Sequence, residues 1–190
     1  MTKNRIRAFG TVGGITQSPN GLNAGVGSNV SPIKSIQNGE TYISLDDSID
    51  VTISSVDITK TVVRCNTRPL SSVTIQATHS IELINSTTIR ITRYGAGSSA
   101  SYVYWDVTEY SSLKSKQTGS YTLENTSSNV SITTVNLSKT LLIYSYYDAV
   151  SVTTFVNGVV GATFLNNSTL TFTQYASNSK VIKWQVIEFN

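Results

Sequence analysis

The chain has 190 residues, 39% of them hydrophobic and only 13% charged, with a net charge of +3. Abundant β-branched residues and tyrosines exclude a disordered composition, and a single cysteine excludes an internal disulfide framework. No apolar run reaches the about 20 residues of a membrane helix, and one histidine with one cysteine does not make a zinc site.

The charge is unevenly placed. Lys3, Arg5, Arg7 and Lys34 all precede the first acidic residue, Glu40, so residues 1–39 carry +4 and residues 40–190 carry −1. Residues 1–31 also hold six of the twelve glycines and a single aromatic, Phe9. With too little apolar surface to offset ordering entropy, this stretch reads as an extended cationic arm. Lys3, Arg5, Arg7 and Phe9 are its candidate anchors. Its polar start lacks the apolar core of a signal peptide, so none is expected.

Residues 32–110 read as short strands separated by turn residues. The expected strands are Glu40–Leu45, Asp50–Ser55, Thr61–Cys65, Val73–Thr78, Ile81–Ile84, Thr87–Tyr94 and Tyr102–Tyr110. Residues 111–190 repeat the series with Ser120–Glu124, Asn129–Thr134, Thr140–Tyr146, Val152–Val156, Val159–Leu165, Leu170–Gln174 and Val181–Phe189. Asn157-Gly158 is a hairpin signal. No window carries helical periodicity.

The two series are copies. Trp105-x-Val-x-Glu109-Tyr and Trp184-x-Val-x-Glu188-Phe lie 79 residues apart, as do Val51–Lys60 and Val130–Lys139. Lys34-Ser-x-Gln-x-Gly39 returns as Lys114-Ser-x-Gln-x-Gly119 at an offset of 80, and Thr92-x-Tyr94 as Thr173-x-Tyr175 at 81. Ordered landmarks at nearly one offset mean an internal duplication. The expected fold is all-β: two tandem β-sandwich modules, immunoglobulin-like or jelly-roll-like, at 32–110 and 111–190, behind the arm at 1–31.

The closing strands are apolar on both faces. Trp105, Val107, Trp184 and Val186 are the candidate module core. Tyr102, Tyr104, Tyr110, Val181, Ile187 and Phe189 face the other way and are the candidate oligomer interface.

Catalytic signals are absent. His79 reads as a solvated turn residue and Cys65 as a small core residue. Asp46, Asp47 and Asp50 lack the glycine and terminal glutamate of a calcium loop. Glu109 and Glu188 are repeated, which favours a role in each module's own structure over a shared active site. No catalytic, cofactor or metal residue is assigned. Only the arm is basic enough for nucleic acid, so nucleic-acid binding is disfavoured. Tyr102, Tyr104, Tyr144, Tyr146 and Tyr147 form an alternative platform for a host-surface glycan.

The ordered set Lys-Ser-Ile-Gln-x-Gly, Val-Thr-Ile-Ser-Ser-Val-Asp, Ser-Thr-Thr-Ile-x-Ile-Thr-Arg and closing Trp-x-Val-x-Glu-aromatic resembles a β-module of tailed-bacteriophage and prophage virion structural proteins. Asn38, Lys116 and Thr118 depart from the usual wording. The resemblance implies a non-enzymatic virion component of capsid-decoration, head-fibre or neck type, assembled in the host cytoplasm, with tail fibre or adaptor as the alternative. It implies other virion proteins as partners and a homo-oligomer, a trimer being favoured.

Overall fold

The computed structural model describes residues 32–44, 47–70, 78–93, 100–149 and 159–190. The chain is all-β. Its first half supplies β1 (Ile33–Ile43), β2 (Ser48–Thr52), β3 (Thr61–Pro69), β4 (Ser80–Asn85), β5 (Thr88–Thr92) and β6 (Ser101–Tyr110). Its second half supplies β7 (Ser115–Leu123), β8 (Ser127–Ser131), β9 (Thr140–Asp148), β10 (Val160–Asn166), β11 (Thr169–Gln174) and β12 (Lys180–Glu188).

These strands form four three-stranded antiparallel sheets, each drawn from one half only. The first module stacks β1-β6-β3 on β2-β5-β4; the second stacks β7-β12-β9 on β8-β11-β10. The closing strand of each module is the central strand of its larger sheet. That position explains its apolar character: β6 and β12 are paired along both edges, so their inward residues lie deepest.

Alternation sends Val103 and Val107 of β6 inward, against Val63 on one side and Ile81, Ile89 and Ile91 across the sandwich. In the second module Ile182, Trp184 and Val186 meet Leu123, Leu170 and Phe172 in the same way. Each such side chain contributes about 1.5–3 kcal/mol on burial. An exposed pair such as Arg64–Asp106 contributes about 0–1 kcal/mol, so the cores, not the ion pairs, hold the modules.

The strands β1 and β7 begin at Ile33 and Ser115, earlier than the expected starts at Glu40 and Ser120. The missed segment is the Lys-Ser-x-Gln-x-Gly motif. It shows no apolar alternation because its inward positions are filled by polar residues and a glycine. Gln37 grips Ser54 twice, its amide nitrogen donating to the Ser54 carbonyl at 3.0 Å and its oxygen accepting the Ser54 N–H at 2.6 Å. Gln117 does the same with Thr133 at 2.9 and 2.7 Å. Gly39 and Gly119 pair with Trp105 and Trp184. A Cβ on Gly39 would lie 2.8 Å from Trp105 Cε2, and on Gly119 2.5 Å from Trp184 Cε2, so each indole occupies the volume a side chain would need.

Turns repeat as well. Asn85 accepts the Thr87 N–H at 2.8 Å, and Asn166 the Ser168 N–H at 2.9 Å, shaping the β4–β5 and β10–β11 connections. Among the described residues the one helical piece is a 3-10 turn, Leu137–Lys139, capped by the Asn136 side chain. The expected strands at 73–78 and 152–156 and the turn at Asn157-Gly158 lie outside the described residues, except for Thr78, which is not in a strand.

Candidate interaction site

The two repeated glutamates end the central strands, and each holds a clasp. Glu109 is 2% exposed. It accepts from Lys34 Nζ at 2.8 Å, Ser35 Oγ at 3.1 Å and the Asp57 N–H at 3.0 Å. Glu188 accepts from Lys114 Nζ at 2.8 Å, Ser115 Oγ at 3.3 Å and the Asn136 N–H at 2.9 Å. Burial pushes the Glu109 carboxyl up, but Lys34, the Asp57 N–H and Ser35 together outweigh it and hold the pKa below the ordinary value. Lys114 and the Asn136 N–H lower that of Glu188. Each carboxylate ties the start of its module to the loop after the second strand. That is why Lys-Ser and Trp-x-Val-x-Glu recur as a set.

His79 corrects the expectation of a solvated turn residue: it is 4% exposed. Its Nδ1 lies 3.0 Å from Thr67 Oγ1 and its Nε2 3.3 Å from Ser101 Oγ, so the imidazole ties β3 to β6 at one rim of the first sandwich. Cys65 Sγ donates to the His79 carbonyl at 3.5 Å, and burial pushes its thiol up to about 12, which keeps it protonated. At the corresponding rim of the second module stands a different device, Lys180 paired with Asp148, both fully buried. Asp50 pairs with Arg90 at 2.7 Å; Asp46 lies outside the described residues. Among the described residues no three metal-binding side chains come together.

The modules meet through unlike surfaces. The outward face of β7-β12-β9 sits on the open edge of the first module, formed by β3 and β4. Both are edge strands, with unpaired backbone groups to satisfy. Gln185 caps β3 by accepting the Val63 N–H at 3.2 Å and donating to the Val63 carbonyl at 2.7 Å. Ser145 Oγ accepts the Ile81 N–H on β4 at 3.0 Å. Lys183 pairs with Glu82 at 3.1 Å, Lys116 Nζ donates to the Ile58 carbonyl at 2.9 Å, and Thr78 Oγ1 donates to Asp148 at 2.9 Å. A cleft of about 310 Å³ remains in this junction, lined by Ile58, Leu83, Lys116 and Trp184 among others. Burial there lowers the Lys116 amine to about 8.

This junction corrects the expected oligomer interface at Ile187. Ile187 faces away from its own core yet is fully buried, so it has no surface to offer another chain. Phe189 packs edge-on against Tyr110, ring centroids 5.4 Å apart. Val181 is half-buried on the same docked face. The physical reason is that the second module's outer face is already covered by the first module. The equivalent face of the first module, on β1-β6-β3, is closed at Val62 and Thr108, 2% and 7% exposed, and among the described residues open over the rest of its breadth. There Tyr102 and Tyr42 meet at 5.3 Å, Arg68 lies 4.7 Å from the Tyr102 ring centre, and Tyr104 is exposed. Beside Tyr104 lies a depression of about 420 Å³ lined by Asn38, Glu40, Asn66 and Asp106.

Of the expected core residues, Val107 and Val186 are fully buried, Trp184 is buried, and Trp105 is half-buried against its cluster. The five tyrosines do not share a platform. Tyr144 and Tyr146 turn inward onto the second core, Tyr147 lies on the docked face, and only Tyr102 and Tyr104 lie on the first module's outer face. Lys3, Arg5, Arg7 and Phe9 lie outside the described residues. Gln185 and Ser145 were missed, since nothing in a polar residue's neighbours marks it as the cap of a distant strand.

Comparison with protein-family models, curated proteins and solved structures finds no match. Among the described residues no helix is long and apolar enough to cross a membrane.

Proposed function

We propose that this chain is a non-enzymatic structural protein of a tailed-bacteriophage virion, of the capsid-decoration, head-fibre or neck class, with a tail fibre or adaptor as the alternative placement. The observation that carries the non-enzymatic part is the pair of clasps. The repeated carboxylates, which would be the first candidates for acid–base chemistry, are each engaged by a lysine, a serine and a backbone N–H of their own module. The resemblance of the repeated motif set supports the virion part. In this reading residues 1–31 tether the body to a larger particle, Lys3, Arg5 and Arg7 meeting an acidic surface while Phe9 docks. Oligomerisation with other copies multiplies weak contacts into firm attachment.

Deleting residues 1–31 tests the tether. The expected outcome is a soluble body with unchanged β-structure by circular dichroism that no longer joins particles. Full incorporation of the truncated chain would contradict the reading.

A second reading, binding of a host-surface glycan, is favoured by one observation: exposed Tyr104 beside Asn38, Glu40 and Asn66 offers a ring for a sugar's apolar face and polar groups for its hydroxyls. Glycan-array binding that Tyr104→Ala abolishes would select it.

A further inference from the structure

Within one chain, a face of the second module covers an edge of the first. Among the described residues, that arrangement leaves open one equivalent edge and most of one equivalent face, Val62 and Thr108 of that face being already buried. The face is the outer side of β1-β6-β3. The edge is β9 with β10, the counterparts of β3 and β4, and both are edge strands of their sheets. Leu142 is the counterpart of Val63: Val63 pairs with Val107, and Leu142 with Val186. In Val63 the N–H and C=O turn away from the central strand toward Gln185. Leu142, at the same ladder position, therefore turns its own N–H and C=O outward, and no side chain among the described residues caps them.

We propose that copies of this chain join head to tail, the outer face of β1-β6-β3 in one copy seating on the β9/β10 edge of the next, as the second module's face seats on the first module's edge. The proposal rests on the assembly part of the function above and names its surfaces.

Residue equivalence supports the fit. Inside the chain Lys116 reaches Ile58. The corresponding pair between copies is Ile36 with Leu137, and these are 55% and 46% exposed, an apolar match waiting to be buried. Thr78 with Asp148 becomes Val159 with Pro69, again apolar on apolar. Gln185 on Val63 becomes Asp106 on Leu142, where the carboxylate accepts the N–H but, having no donor, does not serve the C=O as Gln185 does. Ser145 on the Ile81 N–H becomes Asn66 on the Ala162 N–H, an acceptor for an acceptor. The contact therefore exchanges some of the polar character of the in-chain junction for apolar burial, which suits association between chains. It is heterologous, so repetition closes into a ring or extends as a fibre according to the rotation per copy. Of the oligomer face expected from sequence, this unlike pairing uses the part on the first module's closing strand.

Sedimentation velocity of the full chain over a concentration series tests it, with Ile36→Glu and Leu137→Glu as the two variants. Each variant alone is expected to associate roughly tenfold or more weakly than the wild type. Mixed, they are expected to recover a one-to-one dimer, because one retains a sound edge and the other a sound face. Circular dichroism and unchanged melting of each variant establish that the fold is intact. A wild-type chain that stays single at all concentrations overturns the proposal, as does Leu137→Glu associating normally. Glycan binding at Tyr104 by a chain that never self-associates also overturns it and gives the face to the sugar. These outcomes decide the assembly part of that reading, whereas the tether through residues 1–31 is decided separately by the deletion.

Discussion

The two modules share a skeleton and differ at their margins. Both carry the glutamate clasp, the glutamine grip on the neighbouring loop and the glycine under the tryptophan. At the rim one uses Thr67, His79 and Ser101, while the other uses Lys180 and Asp148. Trp105 donates to Thr41 at 3.0 Å, but Trp184 Nε1 is buried without a hydrogen-bond partner, Tyr121 standing where Thr41 would be. The difference teaches which residues serve the fold and which serve the junction. Positions kept in both copies hold a module together; positions that diverge decide what each module touches.

The sharpest way to break that division is at the rims. Asp148→Ala leaves the Lys180 ammonium buried without its partner and is expected to cost about 3–5 kcal/mol. Ser101→Ala at the first rim removes one hydroxyl contact to His79 and should cost about 1 kcal/mol. Urea unfolding read by tryptophan fluorescence measures both, and equal losses would erase the distinction between the rims. The shared skeleton is tested next. Gly39→Ala and Gly119→Ala each force an indole from its seat and are expected to cost about 2–3 kcal/mol, alike within about 1 kcal/mol. A harmless substitution at either site would show that the copies are not equivalent there. At the junction, Gln185→Ala uncaps Val63 and should cost about 1–2 kcal/mol. Asp106→Ala, the same site on the first module's outer face, costs a chain kept apart from other copies its exposed pair with Arg64, about 0.5 kcal/mol.

The smallest effect is on acid stability. Glu109 and Glu188 have folded pKa values below the ordinary 4.5. Their stabilisation is complete above the unfolded value and is lost as pH falls through the depressed folded ones. Melting temperature should therefore drop between about pH 5 and about pH 2, and the Glu109→Gln, Glu188→Gln double variant should flatten that slope.

Much of this architecture was legible in the sequence. The 79-residue recurrence of Trp-x-Val-x-Glu marked the duplication, and alternation placed Val107 and Val186 correctly against the core. The starts of β1 and β7 were hidden because Gln37 and Gly39 reach inward through hydrogen bonds and an indole rather than through apolar bulk. His79 looked solvated because a lone polar residue after a turn gives no sign that Thr67 and Ser101 will meet it. Two-sided apolar closing strands announced a second burial partner. They did not reveal that Ile187 finds it inside its own chain while Tyr104 does not, since both strands carry the same pattern and only tertiary placement separates them.

Amide hydrogen exchange of the full chain, at a concentration low enough to keep copies apart, compares the two edges directly. Val63, capped by Gln185, is expected to exchange slowly, and Leu142 at the matching ladder position quickly. The Gln185→Ala variant is expected to bring Val63 to the rate of Leu142. Wild-type Val63 exchanging as fast as Leu142 would contradict the capped junction and, with it, the account of how one module completes the other.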